Sequence, residues 1–164
     1  MNESFKQFEQ AIDRAGARYP GSPRQEILLT RLYYHIIPRL NNFFNDGLRQ
    51  YGLNETLYLA LMSIFSAENH AIGPSHLSDV LDSSRTNITR VADELVRNGW
   101  VSRETCSEDR RRLYLKLTPE GLKMVEQLLP EIRVMHRSLW GSFSETEKVA
   151  MEGLMRKLLA TLGG

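Results

Sequence analysis

Across residues 84–117 the spacing of apolar side chains changes once, abruptly, from a helical to an alternating rhythm. Ile88, Val91, Ala92, Leu95 and Val96 recur at the steps that place them on one stripe of a helix. Asn98-Gly99 stops that pattern. Residues 100–104 and 113–117 then alternate apolar and polar side chains, which predicts two short strands joined by a charged tip over 105–112. Upstream, Pro74 opens a shorter helix with Leu77, Val80 and Leu81 directed inward. Asp82-Ser83-Ser84 makes a turn, with Ser84 as the cap of the next helix. A short helix, a tight turn, a second helix and a two-stranded ribbon is the order of a helix-turn-helix followed by a wing.

The flanks are helical. Ile27, Leu28, Leu32, His35, Ile36, Leu40, Phe43, Phe44 and Leu48 predict a helix over 24–51, closed by Gly52, with a bend expected near 34–38 because Pro38 lies inside it. A short helix precedes the break at Tyr19-Pro20-Gly21-Ser22-Pro23. Asn54 can cap a helix through Leu57, Leu61, Ile64 and Phe65, and 69–73 is a loop or a short strand. Thr118-Pro119-Glu120 starts a helix running towards Trp140. Ser144 and Glu147 form a capping box before a last amphipathic helix with Val149, Leu154, Leu158, Leu159 and Leu162.

The expected fold is mainly α with a small β-wing, a winged helix-turn-helix domain plus a helical dimerisation region built from both termini. The expected boundaries are 1–51 for N-terminal dimerisation helices, 52–117 for the winged domain and 118–164 for C-terminal dimerisation helices. A small winged domain does not need the long terminal helices for its own core, so they suit the pairing of two copies. A larger monomeric helical domain is the other reading.

The net charge of +1 does not mark a globally basic chain, but its distribution is uneven. Residues 84–116 hold eight basic and five acidic side chains, while the rest of the chain holds 13 basic and 15 acidic. No apolar run reaches the roughly 20 residues needed to span a bilayer. The first residues lack the pattern of a secretory leader, so a cytoplasmic protein without membrane association is expected. The single cysteine, Cys106, fits a reducing compartment.

The face of the second helix opposite its apolar stripe carries Arg85, Thr86, Asn87, Thr89 and Arg90. Arginine pairs bidentately with guanine, asparagine with adenine, and a threonine methyl can touch the thymine methyl. A merely solvated face would favour glutamate and lysine, the better helix formers. At the tip, Arg110, Arg111 and Arg112 can reach phosphates or a narrow minor groove, although such a run also serves as a soluble turn. The candidate DNA-binding residues are therefore Ser84, Arg85, Thr86, Asn87, Thr89, Arg90, Arg110, Arg111 and Arg112.

Enzymatic chemistry is not indicated. The chain has no glycine-rich phosphate loop and no nucleophile elbow, and Asp93 and Glu94 are adjacent on a helix and diverge. His35, His70, His76 and His136 show no metal-ligand spacing, so neither a metal nor a cofactor is expected. Cys106 lies near Arg103 and Arg110, which would lower its pKa and make it a candidate oxidation sensor. A winged fold used for protein interaction without DNA is the alternative function.

Asp82-Ser83-Ser84-Arg85-Thr86-Asn87, the run Leu95-Val96-Arg97-Asn98-Gly99-Trp100-Val101, the tip Asp109-Arg110-Arg111 and the segment Leu115-Lys116-Leu117-Thr118-Pro119-Glu120-Gly121 resemble the MarR family of bacterial regulators. Glu26-Ile27-Leu28-Leu29-Thr30-Arg31-Leu32 and Asn54-Glu55-Thr56-Leu57 are similar to its multidrug-efflux repressor branch. The resemblance implies a homodimer paired through its terminal helices, a palindromic double-stranded DNA operator, and repression relieved by a small aromatic ligand. It implies that Arg85, Thr86, Asn87 and Thr89 read bases or backbone, and that Arg90 binds phosphate or pairs with Asp109. Arg111 would enter the minor groove. Asp109, being acidic, would support the wing by holding an arginine. Pro38 departs from the family pattern.

A small aromatic or heteroaromatic acid is the expected effector, with Tyr33, Tyr34, His35 and Arg39 near the expected bend and Tyr58 and Met62 on the next helix. Aromatic walls with a few polar groups describe most small-molecule sites, and Arg39 could pair a carboxylate. The same residues would also serve as core or dimer contacts.

Overall fold

The computed structural model describes residues 3–105 and 113–163. The chain divides into two compact units, residues 1–55 and 56–164.

The first unit holds α1 (Glu3–Arg18) and α2 (Arg24–Leu48). α1 buries Phe5 and Ile12. The His35 ring meets the edge of Phe5 at 5.2 Å and lies 6.5 Å from Phe8, while the Arg31 guanidinium sits 4.8 Å from the Phe8 ring centroid. Across the break, Arg24 donates to Asp13 at 2.6 Å and holds that carboxyl below its ordinary range. Pro38 lies inside α2 without interrupting it. Its missing N–H removes the i→i−4 donor for the Tyr34 carbonyl. At the next carbonyl, His35, Arg39 Nη1 donates at 2.7 Å, so a side-chain donor supports the turn that proline weakens. α2 passes into a 3-10 turn, Arg49–Tyr51, and stops at Gly52, whose φ of 69° is left-handed. Glycine adopts that conformation without strain. Asn45 Oδ1 then accepts the Glu55 N–H at 2.8 Å, satisfying a free donor at the start of α3.

In the second unit α3 (Glu55–Ser66) buries Leu57, Tyr58, Ala60, Leu61 and Ile64. A 3-10 turn, Glu68–His70, follows, with Asn69 and His70 both at positive φ. His70 stacks on Phe65 at 5.2 Å, and its Nδ1 lies 2.6 Å from the Phe65 carbonyl oxygen. The segment read as either loop or strand contains a two-residue strand, β1 (Ala71–Ile72). It pairs antiparallel with β3 (Leu113–Leu117), placing Ile72 opposite Leu115. β2 (Val101–Thr105) pairs with the other edge of β3, Arg103 opposite Leu115, so the sheet order is β1-β3-β2.

α4 (Pro74–Val80) and α5 (Arg85–Arg97) precede the ribbon. Leu77 is fully buried, but Val80, expected to point inward, is 52% exposed at the last residue of a seven-residue helix. Ile88, Val91, Ala92 and Leu95 are buried as the stripe requires, together with Leu115 and Val101 from the ribbon. Gly99 at φ 76° turns the chain from α5 into the ribbon.

α6 (Pro119–Trp140) is fixed to that turn. Thr118 Oγ1 accepts the Gly121 N–H at 3.0 Å and donates to the Gly99 carbonyl at 2.6 Å. A side chain at Gly121 would place its Cβ 2.0 Å from the Trp100 carbonyl oxygen, so only glycine allows this approach. Val125, Leu128 and Ile132 of α6 are buried. α7 (Glu145–Thr161) opens with the expected capping box, Ser144 accepting from the Glu147 N–H and Glu147 accepting from the Ser144 N–H. It buries none of its residues. The observed class is mainly helical with a small three-stranded antiparallel sheet, as expected from the sequence. Among the described residues no helix is long and apolar enough to cross a membrane.

Candidate nucleic-acid interface

α5 is positioned by the turn before it. Leu81 leaves the helical region and Asp82 takes a positive φ of 44°, which aspartate tolerates better than most residues. Ser83 is tied back to α4 twice: its N–H donates to the Ser78 carbonyl, and its own carbonyl accepts from the Ser78 hydroxyl. Ser84 caps α5, its Oγ accepting from the Asn87 N–H at 3.3 Å. The buried stripe then fixes the rotation of α5 and leaves the opposite face to solvent.

On that face Arg85, Thr86, Thr89 and Arg90 are exposed and Asn87 is half-buried. Arg85 and Thr86 make no side-chain hydrogen bond or ion pair among the described residues. The first turn of α5 contains no acidic residue. The positive end of the helix dipole favours anions there, so Arg85 adds charge where the fold gains nothing from it. An anionic partner outside the chain would neutralise both. Thr89 donates to the Arg85 carbonyl at 3.0 Å.

Asn87 is occupied internally: Nδ2 donates to Ser83 Oγ at 2.8 Å, and Oδ1 accepts from Arg90 Nη2 at 3.1 Å. Arg90 also lies 3.6 Å from Glu94. At the base of the wing Arg103 pairs with Asp93 of α5 at 2.6 Å, and Lys116 pairs with Glu104 at 3.2 Å. Both pairs are largely exposed, so each adds little stability; the first links the ribbon to α5 and the second joins the ribbon's two strands. The expected wing residues Asp109, Arg110, Arg111 and Arg112, and Cys106, lie outside the described residues.

The effector candidates fall in both units. Tyr33, Tyr34 and Arg39 are exposed on α2, and Tyr34 lines a surface groove of about 570 Å³ with Glu26, Ile27, Thr30 and Arg31. His35 packs against Phe5 and Phe8, and the Arg39 guanidinium is held on a backbone carbonyl. On α3 Tyr58 is buried, which raises its pKa, and Met62 lines a different groove of about 420 Å³ with Leu59, Ile72, His76 and Val80 among its walls. Among the described residues no three histidine, cysteine, aspartate or glutamate side chains are grouped to hold a metal ion.

The sequence reading missed Ser78, Ser83, Glu94, Asp93 and Arg103 as parts of this interface. The i, i+3, i+7 spacing of Asn87, Arg90 and Glu94 places them on one helical face and was a readable signal. The Ser78–Ser83 contact depends on a turn geometry that no periodicity encodes.

The chain is similar to regulators of known role. It is 44% identical to the transcriptional repressor MprA of Escherichia coli K12, over 99% of this chain and 92% of that protein. It is 30% identical to the multiple antibiotic resistance protein MarR of Salmonella typhimurium, over 81% of this chain and 92% of that protein. Its fold matches that of a mutant MarR from Escherichia coli complexed with operator DNA, with a TM-score of 0.74 and 29% identity over 82% of this chain and 96% of that one. It also matches Sco3205 of Streptomyces coelicolor in complex with DNA, with a TM-score of 0.80 and 22% identity over 85% of this chain and 89% of that one, a likeness of fold. The MarR family model covers residues 53–113, from just before α3 to the first residue of β3. With the exposed polar face of α5 and the winged fold behind it, these matches establish that the chain belongs to the MarR family of transcriptional regulators and is not an enzyme.

Proposed function

We propose that the protein is a homodimeric repressor that binds a palindromic DNA operator through α5 and the wing, acts in the cytoplasm, and is released by a small aromatic or heteroaromatic acid. The observation that carries the DNA reading is the α5 face. Exposed Arg85, Thr86, Thr89 and Arg90 stand over a buried stripe, at the start of a helix whose dipole also attracts phosphate. In this reading 52–117 bind DNA, with Ser84 presenting the helix N-terminus. Arg110, Arg111 and Arg112 contact phosphate or the minor groove, and Asp109 supports the wing.

Pairing through 1–51 and 118–164 is supported by apolar surface left exposed in the single chain. α2 exposes Leu29, Tyr33, Tyr34, Ile36 and Ile37; α7 exposes Val149, Leu154, Met155, Leu158 and Leu159. Contiguous apolar patches of this kind mark interaction surfaces. Two-fold symmetry would set two α5 helices about one DNA turn apart.

The effector reading rests on the exposed phenol rings of Tyr33 and Tyr34 with the cation of Arg39 on α2. Control of efflux or of aromatic catabolism fits a ligand of that class. Release of the bound operator by a panel of aromatic acids tests it. Arg39→Ala should abolish release by carboxylates, and no release by any acid overturns this part.

The experiment for the whole reading is selection of bound duplexes from a random DNA pool at moderate salt. The expected result is an enriched palindrome whose half-sites lie about 10 base pairs apart, bound with an affinity that falls steeply as salt rises. No enrichment, with salt-insensitive binding to protein partners, would make the chain an interaction module instead.

A further inference from the structure

We infer that Asn87 reads no base. It is a positioning residue that locks the turn to α5 and aims Arg90 at the DNA backbone, leaving base discrimination on this helix to Arg85 and Thr86. The inference rests on the reading of α5 as the DNA-facing helix.

Bidentate recognition of adenine needs both ends of an asparagine amide. Both ends of Asn87 are already engaged. Nδ2 donates to Ser83 Oγ at 2.8 Å, and Oδ1 accepts from Arg90 Nη2 at 3.1 Å. The orientation of the amide is fixed by chemistry: a guanidinium only donates, so the oxygen must face Arg90. Flipping the amide would set two donors against each other. Turning it outward to a base would break both bonds and strip Ser83 Oγ of its donor.

The two bonds join a longer chain. Ser78 is buried on α4 and holds Ser83 by its hydroxyl, Ser83 holds Asn87, Asn87 holds Arg90, and Glu94 flanks Arg90 from the next turn at 3.6 Å. The helix-turn-helix turn is thereby connected to one exposed cation. Arg90 carries five N–H donors in a fixed fork, and those pointing away from Asn87 and Glu94 remain for phosphate. An arginine held in advance loses less side-chain entropy on binding than a free one. Arg85 and Thr86 have no such internal partner among the described residues. They lie in the first turn, the part of a recognition helix that meets base edges.

The test is a double-mutant cycle on the selected operator and on a panel of its single base-pair variants, with Asn87→Ala, Arg90→Ala, the double variant and Arg85→Ala. Asn87→Ala should weaken binding to every duplex in the panel by one common factor, about 5- to 30-fold, and keep their ranking. In the Arg90→Ala background the same change should cost clearly less than in the wild type, the remainder being the lost contact with Ser83, a coupling that a merely structural loss of the turn would not produce. Arg85→Ala should compress the spread of the panel about ten- to a hundredfold at one position. Loss of discrimination at a single base pair in Asn87→Ala, or a full additional cost beside Arg90→Ala, overturns the inference while leaving the DNA reading intact. A wild-type protein that fails to discriminate among any duplexes overturns both.

Discussion

α5 and α7 are both amphipathic helices opened by a serine cap, yet the chain treats them in opposite ways. α5 buries its apolar stripe, with Leu95 fully enclosed, and turns Arg85, Thr86, Thr89 and Arg90 to solvent. α7 buries nothing, and Leu154 and Leu159 are 68% and 58% exposed. Apolar packing is therefore complete in one helix and missing in the other. What α5 lacks is an anion; what α7 lacks is an apolar surface. The two partners proposed above, a DNA operator and a second copy of the chain, would supply one each.

That contrast gives the same residue type opposite roles. Leu95→Ala should cost about 2–5 kcal/mol of stability, because it empties a sealed core site; urea denaturation measures it. Leu158→Glu should leave the second unit folded by far-UV circular dichroism. It should also weaken dimerisation by roughly a hundredfold, read by sedimentation equilibrium. Equal loss of stability from both would erase the distinction between the helices. Gly121→Ala tests the joint between ribbon and α6. The added methyl would meet the Trp100 carbonyl at 2.0 Å, and overpacking of this kind costs about 1–3 kcal/mol.

The caps offer a finer comparison. Ser84→Ala and Ser144→Ala each remove a side-chain acceptor and should cost about 1 kcal/mol, but only the former lies on the face proposed to meet DNA and should also reduce operator affinity. The smallest effect is acid sensitivity at α7. Hydrogen bonds from the Ser144 backbone N–H and hydroxyl hold the Glu147 carboxyl below its ordinary value near 4.5. A carboxylate whose folded pKa is lowered adds stability above its unfolded value and loses it as the pH falls through the folded one. A pH titration of stability should therefore show a small acid-side loss that Glu147→Gln abolishes.

Much of this was legible in the sequence because two periodicities and a few caps carry it. The 3.6 spacing of Ile88, Val91, Ala92 and Leu95 and the alternation of residues 113–117 placed α5 and β3. Ser84, Thr118 and the Ser144/Glu147 pair fixed three helix starts. β1 was harder, since two residues are too few for alternation to register. Val80 came out exposed because periodicity does not indicate how soon a short helix leaves the core. Pro38 announced a bend, but the sequence gives no hint that Arg39 would bond back to the His35 carbonyl. In the candidate site the exposed cations were readable from composition and spacing. The internal use of Asn87 was not, because the same amide suits adenine and Ser83 equally well until the turn is built.

The most direct test of the central claim is the number of chains on the selected palindrome, measured by sedimentation equilibrium beside a duplex carrying a single half-site. Two chains on the palindrome, bound far more tightly than the protein binds the half-site duplex and lost in Leu158→Glu, would show that α7 pairs what α5 reads. One chain on the palindrome, with equal affinity for the half-site duplex, would contradict the account.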